Sequence, residues 1–410
     1  MTKKTILVAG TYDTKDDELT YLSDVIRAQG GNVLSMDVSV LGDPSKPTDV
    51  SKHDVAEAGG SSIQQAIESG DENTAMQIMA RGSAAKALAL YRAGQIDGVI
   101  VLGGTMGTDL ALDLCAALPV GVPKYVVSTV SFSPLIPPER LPSDVQMILW
   151  AGGLFGLNSI CKASLSQAAG AVLGAARAVE APKRDRPLIG MTSFGKTVLR
   201  YMVTLKPALE ARGFEVAVFH ATGMGGRAFE SLAGEGAFAA VFDFAPQEVS
   251  NHIFGGLSAG ADRMTNAGKS GTPQLIAPGC YDLVDFVGWQ DPPQQLVGRE
   301  THAHNRLLTS AMLDADERRT VARAICDKLS GATAPVALLL PQGGCNEWDR
   351  PGGELHDAGG LIAFCDEIKS ACPENVMLHA MPDHINDAAF CDRALAIFDE
   401  WIASGVVTGK

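Results

Sequence analysis

The sequence has 410 residues, enough for two or three domains at roughly 150 residues each. Lysine plus arginine number 33 against 47 acidic residues, a formal charge of −14, which opposes clustered phosphate contacts to nucleic acid and attraction to an anionic membrane surface. Apolar residues at 46% and charged residues at 20% exclude global disorder, and 44 glycines suit an α/β fold rich in tight strand-to-helix turns.

In chain order, residues 5–9 read as a strand and 16–29 as a helix with Leu19, Leu22, Val25 and Ile26 on one face. A strand over 32–39 follows, then a loop over 43–60 punctuated by Pro44 and Pro47. Helical patterns cover 61–69 and 72–93. The buried strand 98–102 (GVIVL) runs into Gly103-Gly104-Thr105-Met106-Gly107, with a helix over 108–118 after it. Strands over 124–130 and 145–150 and an Ala-rich helix over 156–180 complete the first series. Residues 181–187 (APKRDRP) concentrate charge and two prolines and read as a linker between domains 1–180 and 188–410. The second series is LIGMTSF, a helix to Arg212, EVAVFHA, a helix from about Gly226, AAVFDF, PQLIAP, VALLLPQGG, VMLHAMP and a last helix over 387–403. Strands alternating with helices predict two doubly wound, Rossmann-like α/β domains with mainly parallel sheets and a cleft between them.

The amino-terminal apolar run ends at Gly10 and acidic residues follow from Asp13 and Asp16, too soon for a signal peptide, and no apolar run reaches the length of a membrane span. The eight cysteines form no CxxC pair. They read as buried free thiols in a reducing compartment, so a cytoplasmic location is expected.

Ligands of such sheets sit beyond the carboxyl ends of the strands. Gly10-Thr11-Tyr12-Asp13-Thr14-Lys15 offers close backbone approach, two hydroxyls and an ammonium at a helix start, where anions bind. Gly103-Gly104-Thr105-Met106-Gly107-Thr108-Asp109 has the composition of a phosphate cradle. An ordinary βα turn explains either one alone; two in one half reinforce each other. Residues 190–197, GMTSFGKT, satisfy the P-loop pattern GxxxxGK[ST], with Asp243 ending a later apolar strand. The preceding strand is short and bulky Phe194 precedes the second glycine, so the match reads as coincidence. Thr222, Gly225, Gly226 and Arg227 in HATGMGGR suit a phosphate or carboxylate, and Gln342-Gly343-Gly344-Cys345-Asn346 is a fourth glycine-rich junction.

Seven of the eight histidines lie beyond residue 219. His302 and His304, two residues apart, fall on one side of an extended backbone. With His384, Asp383 or Asp282 they could hold zinc, although polar packing is the plainer account. Cys280 is a candidate nucleophile with a histidine base, against the commoner fate of a core thiol.

The motifs GTYDTK at 10–15, MDVSVLGDP at 36–44, GMTSFGKT at 190–197, HATGMGGRAFE at 220–230, FGGLSAGADR at 254–263, PGCYDLVDF at 278–286, THAHN at 301–305 and HIND at 384–387 span nearly the whole chain. In these the chain resembles the uncharacterised two-domain family that includes the ATP-binding amino-terminal half of the tomato protein conferring resistance to tomato mosaic virus. Two positions depart from that pattern: Lys196 stands where the family has another residue, and GGELHD at 352–357 replaces a Pro-Phe-x-Asp-Pro stretch. The resemblance implies two α/β domains, ATP binding and a homodimer, and assigns no reaction. It directs the nucleotide to Gly10, Thr11, Asp13, Thr14 and Lys15 and to Gly103, Gly104, Thr105, Gly107 and Thr108. Magnesium accompanying the nucleotide would use Asp13 or Asp109. Thr222, Gly225, Gly226 and Arg227 would meet a small acidic substrate, with His302, His304, Cys280 and His384 as catalytic candidates. Two other readings stand beside an ATP-dependent enzyme: a nucleotide-responsive interaction module without turnover, and a metal-dependent hydrolase built on His302 and His304. Neither a nucleic acid nor a membrane is expected as a partner.

Overall fold

The computed structural model describes residues 3–408 apart from Leu154, Ala181, Lys183, Arg184 and Leu199, and apart from the side chains of Lys196 and Thr197. Three residues of the expected linker and the P-loop lysine side chain therefore lie outside what is described. The chain divides into two compact units, Met1–Lys183 and Arg184–Lys410.

The first unit is a five-stranded parallel sheet of β1 (Thr5–Gly10), β2 (Asn32–Asp37), β3 (Gly98–Gly103), β4 (Lys124–Ser128) and β5 (Val145–Leu149), in the order β2-β1-β3-β4-β5. Its helices are α1 (Asp16–Ala28), α2 (Lys52–Ala58), α3 (Ile63–Glu68), α4 (Glu72–Arg92), α5 (Thr105–Ala116) and α6 (Ser159–Ala178). Successive strand residues point to opposite faces, which sorts the core into two layers. Leu7, Ala9, Val99 and Val101 pack with Met79, Leu110 and Leu114 on one face, while Ile6, Val8, Ile100 and Leu102 pack with Leu22, Ile26, Leu165 and Val172 on the other. Burial on both faces is why these strands are almost continuously apolar. The chain steps from β1 outward to β2 and then crosses back to β3, so the strand order reverses at the carboxyl ends of β1 and β3.

The second unit holds a six-stranded parallel sheet of β6 (Leu188–Ser193), β7 (Glu215–His220), β8 (Ala240–Asp243), β9 (Gln274–Ile276), β13 (Val336–Pro341) and β14 (Val376–Met381), in the order β14-β13-β9-β8-β6-β7. Between β9 and β13 in the chain lies a separate antiparallel sheet, β10 (Leu283–Val287), β12 (Leu308–Met312) and β11 (Thr301–Ala303), with β12 in the middle. The helices are α7 (Arg200–Ala211), α8 (Met224–Gly234), α9 (Glu248–Phe254), α10 (Asn266–Lys269), α11 (Ala315–Ser330), α12 (Ala358–Ala371) and α13 (Ala388–Ala403). Tyr201, Leu205, Phe390 and Phe398 share one core layer; Val321, Ile325, Phe364 and Ile368 share the other.

The parallel α/β architecture expected from the alternation is present in both units. Several details differ, among them α9, α10, α11 and α12, for which the expected series names no helix. Residues 43–60 contain α2, started by a reciprocal capping box between Ser51 and Asp54 that the two prolines upstream obscured. Helix α5 begins at Thr105 instead of 108, so Thr105, Met106 and Gly107 form its first turn. The antiparallel sheet is not legible in the sequence, because a three-residue strand reading Thr-His-Ala carries too little periodicity. No described helix is long and apolar enough to cross a membrane.

Candidate functional site

At the reversal point of the first sheet two adjoining cavities share Asp71, Glu72, Met76 and Met106. One, of about 440 Å³, is lined by Thr11, Asp13 and Thr14 after β1, by Val38–Leu41 after β2, and by apolar side chains including Ile67, Met79 and Leu110. The other, of about 520 Å³, is lined by Thr105, Thr108, Asp109, Leu112, Leu135 and Arg140. Together they form a groove at the place where doubly wound sheets take ligands.

Helix α5 opens onto this groove. Its N-cap is Gly104, which has no side chain to bond the first-turn N–H groups of Thr105, Met106 and Gly107. Uncapped amides and the positive end of the helix dipole favour an anion there. Gly103 lets the helix come this close, since a Cβ on it would stand 2.6 Å from the Gly107 Cα. Thr108 serves the fold: buried, its hydroxyl donates to the Gly104 carbonyl at 2.7 Å and lies 2.5 Å from the Ser128 hydroxyl.

The first glycine loop behaves differently. Gly10 ends β1 where a Cβ would press on Leu19, so packing accounts for it. Lys15 occupies the N-cap of α1 and lines neither cavity, and the first turn of α1 holds Asp16, Asp17 and Glu18. Three carboxylates at a helix start already satisfy its dipole and repel a phosphate, which makes this the weaker of the two expected phosphate seats. Thr11, Asp13 and Thr14 do line the groove. The Asp13 carboxylate accepts from the Gly42 amide through Oδ2, while its buried Oδ1 has no partner among the described residues. Asp109 is tied to Arg140 at 2.5 Å, with Asp113 on the same guanidinium at 2.6 Å.

In the second unit the equivalent glycine-rich loop is filled from within. The buried Glu248 carboxylate accepts from the Gly223 amide at 2.6 Å and the Gly226 amide at 3.2 Å, and a Cβ on Gly226 would overlap it. Arg263, fully buried, binds Glu248, Asp243 and Glu230 together. Burial pushes Glu248 up to about 7 despite the guanidinium. Arg227 is held by Asp262 at 2.7 Å, and the Thr222 hydroxyl sits 3.1 Å from His220 Nδ1. The Thr222 hydroxyl, the Gly226 amide and the Arg227 guanidinium thus have internal partners, and Gly225 is packed against the His220 carbonyl, where a Cβ would stand 1.9 Å away.

Cys280 and His384 are likewise interior. Cys280 is fully buried at positive φ, and burial raises its thiol far above the nucleophilic range. His384 Nδ1 accepts from the Asn386 amide, so its Nε2–H reaches the Asn346 carbonyl and Asp349 at 2.9 and 3.0 Å. Gly344 makes this possible, because a Cβ there would meet the His384 ring. Asp282 bonds Asn346 instead of joining the histidine pair.

His302 and His304 do lie side by side, ring centroids 5.2 Å apart, with Trp348 at 4.6 and 4.9 Å from the two. Phe194, the residue that follows β6, supports His304 from below and stacks on His220 at the end of β7. Sequence reasoning missed Trp348 and Phe194 as neighbours, since no local spacing links them. Among the described residues no group of three or more His, Cys, Asp or Glu side chains is placed to hold a metal ion.

The two halves match, over residues 4–181 and 186–402, the N-terminal and C-terminal domains of the uncharacterised protein family UPF0261. A UPF0261 protein of Brucella melitensis biotype 1 is 53% identical over 403 residues, covering 98% of this chain and 96% of its own length. One from Clostridium tetani is 35% identical, covering 94% and 96%. The ToMV resistance protein Tm-1(GCR237) of Solanum lycopersicum is 29% identical over 96% of this chain and 55% of that protein. Among solved structures, a UDP-N-acetylglucosamine 2-epimerase aligns over 67% of this chain and 79% of its own at 10% identity, with a TM-score of 0.21 that carries no argument.

Proposed function

The chain belongs to the uncharacterised family UPF0261, both of whose domains it carries, and from that premise we propose that its first unit binds ATP in the groove at the carboxyl ends of β1 and β3. The observation that carries this reading is the pairing of an uncapped α5 amino terminus with an adjoining cavity whose floor is apolar. The cavity of about 440 Å³ suits the base and ribose, and the amides of Thr105, Met106 and Gly107 suit the phosphates.

The groove's own charge decides what must accompany the nucleotide. Asp13, Asp71, Glu72 and Asp109 line it, and the Arg140 guanidinium is already committed to Asp109 and Asp113. A bare triphosphate would face like charge here. Magnesium, which binds through one or two carboxylates plus phosphate oxygens, fits this donor set, with the unpartnered Asp13 oxygen as the protein ligand. The ion would neutralise charge and orient the phosphates.

Calorimetric titration of the full chain with ATP, ADP and AMP tests the reading, each with magnesium and with a chelator. Binding that prefers the triphosphate and vanishes with the chelator is expected. Absence of binding at protein concentrations near 100 times a micromolar Kd, roughly 0.1 mM, would refute it.

A further inference from the structure

The antiparallel sheet of the second unit does something the nucleotide groove has no part in. Its register sets Asp285 on β10 opposite Ser310 on β12, and Ser310 opposite His302 on β11. Side chains directly opposite on neighbouring strands share a face. His304, two residues beyond His302, returns to that face. Its Nε2 lies 3.0 Å from the Ser310 hydroxyl, and Ser310 in turn donates to Asp285 Oδ1.

The protons in this chain are fixed by counting. A hydroxyl has one hydrogen, and Ser310 gives it to the carboxylate. Toward His304 the Ser310 oxygen can therefore only accept, so the proton of the neutral imidazole sits on Nε2 and the lone pair on Nδ1. His302 shows the complementary arrangement: its Nδ1 lies 3.1 Å from Glu354 Oε1, which can only accept, leaving a lone pair on Nε2. Asp285 is completely buried and its Oδ2 has no partner among the described residues, so the Ser310 hydroxyl is the main group that satisfies its charge. A buried carboxylate acting through one hydroxyl on a half-exposed imidazole is the ordering principle of a general base.

We infer that His304, oriented by Ser310 and Asp285 and flanked by His302 and Trp348, is a general-base site for a neutral, hydroxyl-rich small molecule such as a sugar or polyol. The ligand class follows from the surroundings. Two imidazole lone pairs accept hydrogen bonds and so call for O–H donors. Phe194 is buried beneath the imidazoles, and half-exposed Trp348 offers an apolar face for C–H groups. Among the described residues the hydrogen-bond partners of the His220, His302 and His304 rings are Thr222, Glu354 and Ser310, and a carboxylate beside two lone pairs favours a neutral ligand over an anion. In the step itself the ligand oxygen keeps the electron pair of its O–H bond, and the proton passes to Nδ1. The resulting imidazolium keeps its Nε2–H on Ser310, with Asp285 stabilising the charge. Ser310 and Asp285 are positioning residues; they touch no ligand.

Two measurements on the full chain test this independently of ATP binding. Long-range ¹H–¹⁵N correlation spectra at pH 7.5 should show His304 with the proton on Nε2 and His302 with it on Nδ1. Ser310→Ala should return His304 to a mixture of tautomers, Ser310→Thr should restore the single form, and His53 should not change in either. A His304 protonated on Nδ1 in the unaltered chain would overturn the relay. Saturation-transfer spectra with D-ribose, D-glucose and myo-inositol should show transfer to ring C–H groups, reduced at least twofold in Trp348→Leu and in His304→Gln. No transfer to any of the three, or transfer unchanged in both variants, would overturn the ligand class.

Discussion

Two glycine-rich junctions of similar composition, Gly103–Thr108 in the first unit and Thr222–Arg227 in the second, end in opposite states. At the first, the helix start is left uncapped beside open cavities. At the second, Glu248 enters from a neighbouring helix and takes the amides that a ligand would have used. The difference comes from what the rest of the fold supplies: α9 brings a buried carboxylate to the second loop, and Arg263 compensates its charge. A loop of glycine and threonine is a set of donors. Whether those donors serve a ligand or the protein depends on residues far away in sequence.

The strongest way to break this contrast is to remove the compensation. Arg263→Met leaves Asp243, Glu230 and Glu248 buried around an apolar group and should cost the second unit about 3–5 kcal/mol, the penalty of stranding a buried charge. Denaturant unfolding followed by peptide-resolved hydrogen exchange measures it, and the first unit should keep its protection. Equal loss in both units would show that they do not hold their stability separately.

Thr105→Glu acts on the open loop. The residue is exposed and a carboxylate in the first turn of α5 favours the helix, so the fold should stand while Mg·ATP affinity falls by about tenfold or more. Calorimetric titration reads this, and unchanged affinity would remove the phosphates from α5.

Acid and base separate the units further. In the second, burial raises Glu230, Glu248 and Asp285, the last two to about 7 and about 6. Carboxyls raised in the folded state bind protons that the unfolded chain releases, so their contribution is full below about pH 4.5 and declines as pH rises to about 7. In the first unit Asp43, Asp54 and Asp71 are lowered, chiefly by hydrogen bonds from Lys52, Ser51 and Thr74. Their contribution is present above about pH 4 and is lost as pH falls through their folded values. Hydrogen exchange at pH 5.5 and pH 7.5, corrected for intrinsic rates, should find the second unit relatively more protected at the lower pH. The reverse order would contradict the assigned burial.

The smallest effect is expected of Lys15→Ala. Its ammonium next to a glycine loop suggests a phosphate ligand, but outside the linings of both cavities it should change ATP affinity less than about twofold. A tenfold fall in titration would return the phosphates to the β1–α1 loop.

Much was legible in the chain itself. Apolar runs such as GVIVL declare strands buried on both faces, and their alternation with helical periods declares parallel sheets, because period and burial are local properties of sequence. The glycines at 103 and 104 and the histidine pair at 302 and 304 could be read as candidates for the same reason. Tertiary structure alone decided their fates. It set Glu248 against Gly223 and Gly226, enclosed Cys280 and His384, and left Lys15 aside from the groove. It also aligned Asp285, Ser310 and His304 across a three-stranded sheet whose strands are too short to be read from the sequence. Hydrogen-bond partners and burial depend on residues brought together from 6 to 38 positions apart in these sites, and no local pattern records which of them will meet.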